Sequence, residues 1–402
     1  MQRKGSGYGC GMGPRPTPRA SFDAHRSFVR AAGAIALLVL VACNGRPPSV
    51  APASAAARTA PPQTAAGTTS TVTAAETGSH PSLGPALLAF SAVALPGAAA
   101  PASLDYVAYE PRRERVWVPV GDTGSVDVFD IASRTFTRVD GFKTAERDVR
   151  GAKRTMGPSA VAIGEGFAYV GNRATGEVCS VSAATLTIGR CLKLASSTDG
   201  VAYVRSVKEV WVTAPRSQSV VVLDASTPET LSVKATLKLD GAPEGYASDD
   251  LRGVFLTNLE DKNRTVVVDL ATRTVKGSWA LDCESDGPRG IAADVKRGFV
   301  YVACTDHVLV LDGGHDGATL GRLDTGPGVD NIDWLEAKGL LFAAAGKGEA
   351  VVVARIDDAG HPSVVAKAAS SRGARNAVAD TAGNAYVADP VHARLLVFPF
   401  QP

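Results

Sequence analysis

The side chains best placed to do chemistry come in small polar sets spread along the chain at near-regular intervals. In order they are Asp105, Pro158-Ser159, Thr198-Asp199, Glu244-Gly245-Tyr246, Pro288-Arg289, Asp330-Asn331 and Arg375-Asn376. Arg289 and Arg375 carry planar guanidinium groups, which match a carboxylate or another anion with paired hydrogen bonds. Gathered at one place with Asp199, Glu244, Tyr246, Asp330, Asn331 and Asn376, they could hold an anionic small molecule or a peptide carboxylate. The same groups could equally do no more than satisfy backbone amides and water. No Gly-x-Ser-x-Gly elbow, P-loop or Cys-x-x-Cys-His haem site occurs, so no catalytic residue is assigned and no cofactor is expected. The six histidines are scattered, and neither CxxC nor HxxxH spacing is present, which argues against a dedicated metal site.

What must position these sets is a repeat. Gly298 to Cys304 followed by His307 to Asp312 reads as two apolar strands joined by a short polar turn, and the same pattern is written seven times. Its aromatic residues fall at 117, 169, 211, 255, 301, 342 and 386, with spacings of 52, 42, 44, 46, 41 and 44 residues. Four short strands in each repeat of this length are the signature of β-propeller blades. The fold expected is therefore all-β: a seven-bladed propeller of four-stranded antiparallel blades. The composition, 45% hydrophobic with 41 glycines and 6% aromatic, suits a turn-rich fold whose core is Val, Leu and Ala.

The last repeat has only three strands before the chain stops. Leu87 to Leu95 resembles an outer strand and is predicted to complete blade seven, sealing the ring and leaving no unpaired edge. The loops that lead into each inner strand then converge on the central channel, and they are the loops that carry the polar sets above. The 52-residue interval reflects an insertion, Gly141 to Gly157, with Lys143, Arg147, Arg150, Lys153 and Arg154 against Glu146 and Asp148. It should form a larger loop over the same face; extra loops there often contact partners, and a solvated charged loop is the commoner outcome. Asp130, Asp224, Asp269 and Asp312 close third strands and read as turn formers, accepting backbone N–H groups. His315 and His361 are expected in turns on the opposite rim, and His307 and His392 in solvated loops.

The first 42 residues read as an export signal. Arg26 and Arg30 precede an apolar run, Ala31 to Ala42, too short to span a membrane but right for a signal core. This segment carries a balance of +5, so its removal turns the formal charge of +2 into −3, and no basic surface calls for nucleic acid. Leu40-Val41-Ala42-Cys43 resembles the bacterial lipobox, which implies that Cys43 becomes a lipid-bearing first residue; the plainer alternative is an ordinary signal peptide. Residues 43–85, rich in Ala, Pro and Thr, cannot bury enough surface to fold and should form a disordered tether to the propeller over 86–402. Cys179 and Cys191 flank a hairpin symmetrically, and Cys283 and Cys304 end strands on one rim, so two disulfides are possible in an exported protein; four buried thiols are the alternative.

The strand ends Trp211-Val212-Thr213-Ala214, Phe255-Leu256-Thr257-Asn258, Tyr301-Val302-Ala303-Cys304 and Tyr386-Val387-Ala388-Asp389 resemble the Tyr-Val-Thr-Asn end of the bacterial YVTN-type propellers. That resemblance implies a seven-bladed extracytoplasmic propeller, and fold alone does not supply function. The reading favoured is a monomeric, lipid-anchored, non-enzymatic module of the bacterial cell envelope, held to the membrane through Cys43 and binding a protein, peptide or glycan. An alternative resembles the metal-dependent lactonase propellers, which implies a divalent cation on the axis with Asp105, Glu244, Asp330, Asn331 and Asn376 as available ligands. A third, an electron-transfer partner of a dehydrogenase, lacks any cofactor signature.

Overall fold

The computed structural model describes residues 86–401 except 88, 150, 285 and 286. The expected export signal, Cys43 and the tether over 43–85 lie outside the described residues, as does Arg150. Seven four-stranded antiparallel sheets follow one another along the chain. Their inner strands are Ala108–Glu110, Pro158–Gly164, Val201–Val204, Pro243–Asp249, Ile291–Asp294, Val329–Leu335 and Asn376–Ala379. This is the seven-bladed propeller.

Second and third strands such as Arg115–Val120 and Ser125–Asp130 are buried along nearly their whole length. A blade is covered on both faces by its neighbours, so these strands read as continuous apolar runs of Val, Leu and aromatic residues. Outer strands such as Thr135–Asp140 and Ser232–Lys238 alternate towards solvent and carry Thr, Lys and Arg. The core accordingly divides into seven apolar clusters, one at each blade junction. The third strands end as expected: Asp130, Asp224, Asp269 and Asp312 each accept a backbone N–H from two or three residues on.

The seven repeat aromatics are all fully buried, each contributing roughly 2–3 kcal/mol of transfer free energy. Six of them face the blade that follows, and Phe255 does not. It packs back into the junction of blades three and four, its ring 4.6 Å from that of Trp211, and Leu256 takes the forward-facing position beside Val300. Strand side chains alternate faces, so a shift of one residue reverses the direction. The aligned series is therefore 211, 256 and 301.

Blade seven is completed from the other end of the chain. Ser91–Ala94 pairs antiparallel with Arg394–Phe398, Ser91 opposite Val397 and Ala94 opposite Arg394. The strand is shorter than the apolar stretch that announced it, and a separate pair, Ala86–Leu87 with Phe400–Gln401, lies beyond it. Two disulfides are present. Cys179–Cys191 joins directly opposed residues of the third and outer strands of blade two, and Cys283–Cys304 ties the end of blade four to the second strand of blade five.

His307 departs from expectation. The turn after Ala303 is so short that His307 already begins the third strand of blade five, fully buried, with Nδ1 2.5 Å from Asp306 and Nε2 3.3 Å from Arg322. His392 stays half exposed beside Asp389.

Candidate functional site

Every blade contributes one residue at or just before the start of its inner strand: Asp105, Asp199, Arg289 and Arg375 precede theirs, whereas Ser159, Glu244 and Asp330, expected in the entering loops, are each the second residue of the strand itself. A shared backbone register sets them in a ring. At three junctions the residue after the position donates its N–H to the carbonyl of the next blade's position: Tyr106 to Ser159 (3.1 Å), Gly290 to Asp330 (2.7 Å) and Asn331 to Arg375 (3.3 Å). Such close passage demands small residues. A Cβ on Gly245 would stand 2.1 Å from the Arg289 carbonyl oxygen, and one on Gly290 2.7 Å from Asn331 Cα.

The repeat's Thr and Asn residues lock these loops. Thr257 Oγ1 donates to the Gly245 carbonyl, Thr213 Oγ1 accepts from the Gly200 N–H, and Asn258 Nδ2 donates across the junction to the carbonyl of Arg289. This is the physical content of the Thr-Asn strand end: one side chain holds its own blade's loop and the next holds the neighbour's.

Within the ring the charges are paired. Arg173 donates to Asp105 Oδ2 at 2.8 Å and also bonds Asp199, and Asn376 Nδ2 reaches the other Asp105 oxygen at 3.3 Å. Arg375 Nε stands 3.3 Å from Asp330 Oδ2, and Arg289 pairs with Glu260. Arg173 and Glu260 are absent from the sequence-derived set. Both sit four residues after the forward-facing second-strand residue, Tyr169 or Leu256, a position that is uncharged in the other repeats. Aligning the repeats at that point would have exposed them.

Two tyrosines floor the ring. Tyr106 of blade one and Tyr246 of blade four belong to sheets that are not neighbours, yet their ring centres lie 5.5 Å apart, so they meet across the axis and plug the channel. Beneath the plug lies a cavity of about 450 Å3 walled by Tyr109, Trp334, Ile291 and Ile332, with Asn331 and Asp333 as polar members. Asn331 and Tyr246 thus line the lower cavity, while Asp199, Glu244, Arg289, Asp330, Arg375 and Asn376 are absent from its lining.

The enclosure shifts the acids. Burial, then Asp199, Asp330, Glu260 and Asp105, pushes the Glu244 carboxyl up to about 9, so it is neutral at pH 7. Burial also raises Asp199 to about 6 against the downward pull of Arg173, and raises Asp330 against Arg375. Burial first, and then the surrounding carboxylates, drive the Tyr106 hydroxyl well above its usual value. The side-chain oxygens of Ser159 and Thr198, one Asp199 oxygen and Asn376 Oδ1 are buried without a protein partner. A polar ligand or ordered water entering the mouth would satisfy them.

The carboxylates among the expected divalent-cation ligands come near one another around the axis but do not form a cation site. Asp105 and Asp330 already hold guanidinium groups, and among the described residues no three His, Cys, Asp or Glu side chains form a group able to hold a metal.

No family model and no curated protein matches the chain. Solved propellers match its shape. The WD40 repeats of RRP9 align over 79% of this chain and 99% of theirs at 11% identity and a TM-score of 0.63. Hydrazine synthase of Kuenenia stuttgartiensis aligns over 75% and 98% at 14% identity and a TM-score of 0.62. Virginiamycin B lyase from Staphylococcus aureus aligns over 77% and 98% at 10% identity and a TM-score of 0.60. At such identities the likeness is one of fold: the chain is a seven-bladed β-propeller.

Proposed function

We propose that this chain is an exported, lipid-anchored propeller of the YVTN type that binds an envelope protein, peptide or glycan through the face carrying the channel mouth. The observation that carries the reading is the closed set of ion pairs around the axis. Arg173, Arg289 and Arg375 are each held by carboxylates in a ring fixed by backbone bonds, which makes a rigid, polar recognition surface. The two disulfides support an oxidising compartment, and acylation at Cys43 would supply the membrane attachment.

Affinity capture from envelope extract tests the binding reading. Wild type should retain a partner that the Arg289→Ala/Arg375→Ala double variant loses; equal recovery by both would remove the mouth from the interface. Fractionation of Cys43→Ser tests the anchor. The variant should leave the membrane pellet, and its persistence there would refute lipid attachment.

A further inference from the structure

The insertion between blades one and two folds as a hairpin, Ala145–Val149 paired with Ala152–Met156. Between this hairpin and the loops of blades two and three runs a groove of about 540 Å3. Lys143 and Arg147 line it from the insertion, Lys193 from the outer strand of blade two, Arg216 from blade three and Arg173 from the turn after the second strand of blade two. Glu177 is the single acid in the lining. Its contact with Lys143 is 3.5 Å long and the lysine is 73% exposed, so the pair neutralises little.

Backbone carbonyls hold two of the cations over the floor. Arg147 Nη2 donates to Ala174 O at 2.9 Å, and Lys193 Nζ donates to Thr175 O. A carbonyl takes one donor and leaves the charge in place; the remaining guanidinium and ammonium donors stay available. Thr175 Oγ1, in the floor, is buried without a protein partner. The cations come from four separate segments of the chain, whereas a single phosphate calls for convergence on a point.

We propose that this groove takes an extended acidic segment, a run of Asp and Glu in a protein partner, laid between the hairpin and blades two and three. This deepens the binding reading given above and rests on it. Charges of one sign along an open groove steer an oppositely charged segment and fix its register. Arg173, whose guanidinium is held by Asp105 and Asp199, links the groove to the ring.

The test is fluorescence anisotropy of the purified full chain with a labelled oligoglutamate peptide at an ionic strength of about 0.01 M, where charges are felt over roughly 30 Å. Wild type should bind, with affinity falling as salt is added. Arg147→Ala/Arg216→Ala should bind about ten-fold more weakly, a loss of about 1.4 kcal/mol, with an unchanged melting temperature. Arg216→Ala alone, on an exposed turn, should weaken binding by a smaller factor and guards against a loss that reflects a collapsed hairpin. Arg289→Ala/Arg375→Ala should weaken peptide binding less than Arg147→Ala/Arg216→Ala does, so a failed capture experiment and a failed groove are told apart. No binding by wild type, or equal binding by the groove variants, overturns the proposal. So does equal competition by inorganic phosphate, single-stranded DNA or phosphatidylglycerol vesicles at matched charge, which would make the groove a phosphate site.

Discussion

Glu244 sits where four other carboxylates crowd it, and its proton is held up to about 9 by burial first and those neighbours after. The folded chain therefore keeps a proton that the unfolded chain releases near 4.5. Stability is fully present below that value and drains away as the pH rises towards about 9. Glu244→Gln keeps the shape and removes the titration. Thermal melts should show wild type losing ground to the variant as the pH rises from about 5 to about 9, with the gap closing at the acid end; parallel curves would show that Glu244 ionises normally. Arg173 makes the complementary case. Arg173→Ala would leave Asp105 and Asp199 facing each other with their shared cation gone, a loss of about 3–5 kcal/mol. Adding Asp199→Asn should recover part of it, and no recovery would mean the damage lies elsewhere. The ring positions were legible in the sequence because the repeat fixes which loop residue faces the axis. Arg173 and Glu260 were not, since they belong to the loops that leave the second strands and only an alignment of those ends singles them out.

Elements were read with similar success and for similar reasons. Alternating apolar strands and Asp-led turns announce themselves locally, whereas the direction a side chain faces depends on register. Phe255 was counted as one of seven equivalent aromatics, but an offset of a single residue turns it back on Trp211 and gives its place to Leu256. His307 shows the same limit: whether a residue is the last of a turn or the first of a strand is set by pairing with Asp324 on the adjacent strand. The disulfides belong to this scale too. Cys179–Cys191 and Cys283–Cys304 close loops of 12 and 21 residues, each restraining the unfolded chain by about 3 kcal/mol. Replacing either pair by serine should lower the melting temperature, and adding reductant to wild type should reproduce the combined loss. A melting temperature indifferent to reductant would mean that the thiols are unpaired in solution.

At the scale of the molecule, stability hangs on the join between the chain's two ends. Among the described residues only Ser91–Ala94 covers the free edge of the strand Arg394–Phe398, and around it Leu95 is 3% exposed, Leu87 is 8% exposed and the Phe90 ring lies 5.4 Å from that of Phe398. Deleting residues 86–96 would remove two buried leucines worth roughly 1.5–3 kcal/mol each. It would also leave one edge of blade seven without its ladder, an invitation to pair with another copy. In a ring the damage is not confined to one blade, because blade seven walls the junctions with both blade six and blade one, and Leu87 and Leu95 each belong to one of them. The truncated chain should melt several degrees lower, at roughly 2–4 °C per kcal/mol, and should self-associate. A synthetic peptide spanning residues 86–96, added in trans, should restore part of the melting temperature by refilling the strand. If the truncated chain melted with wild type and ignored the peptide, the ring would have to be held shut by something other than this strand.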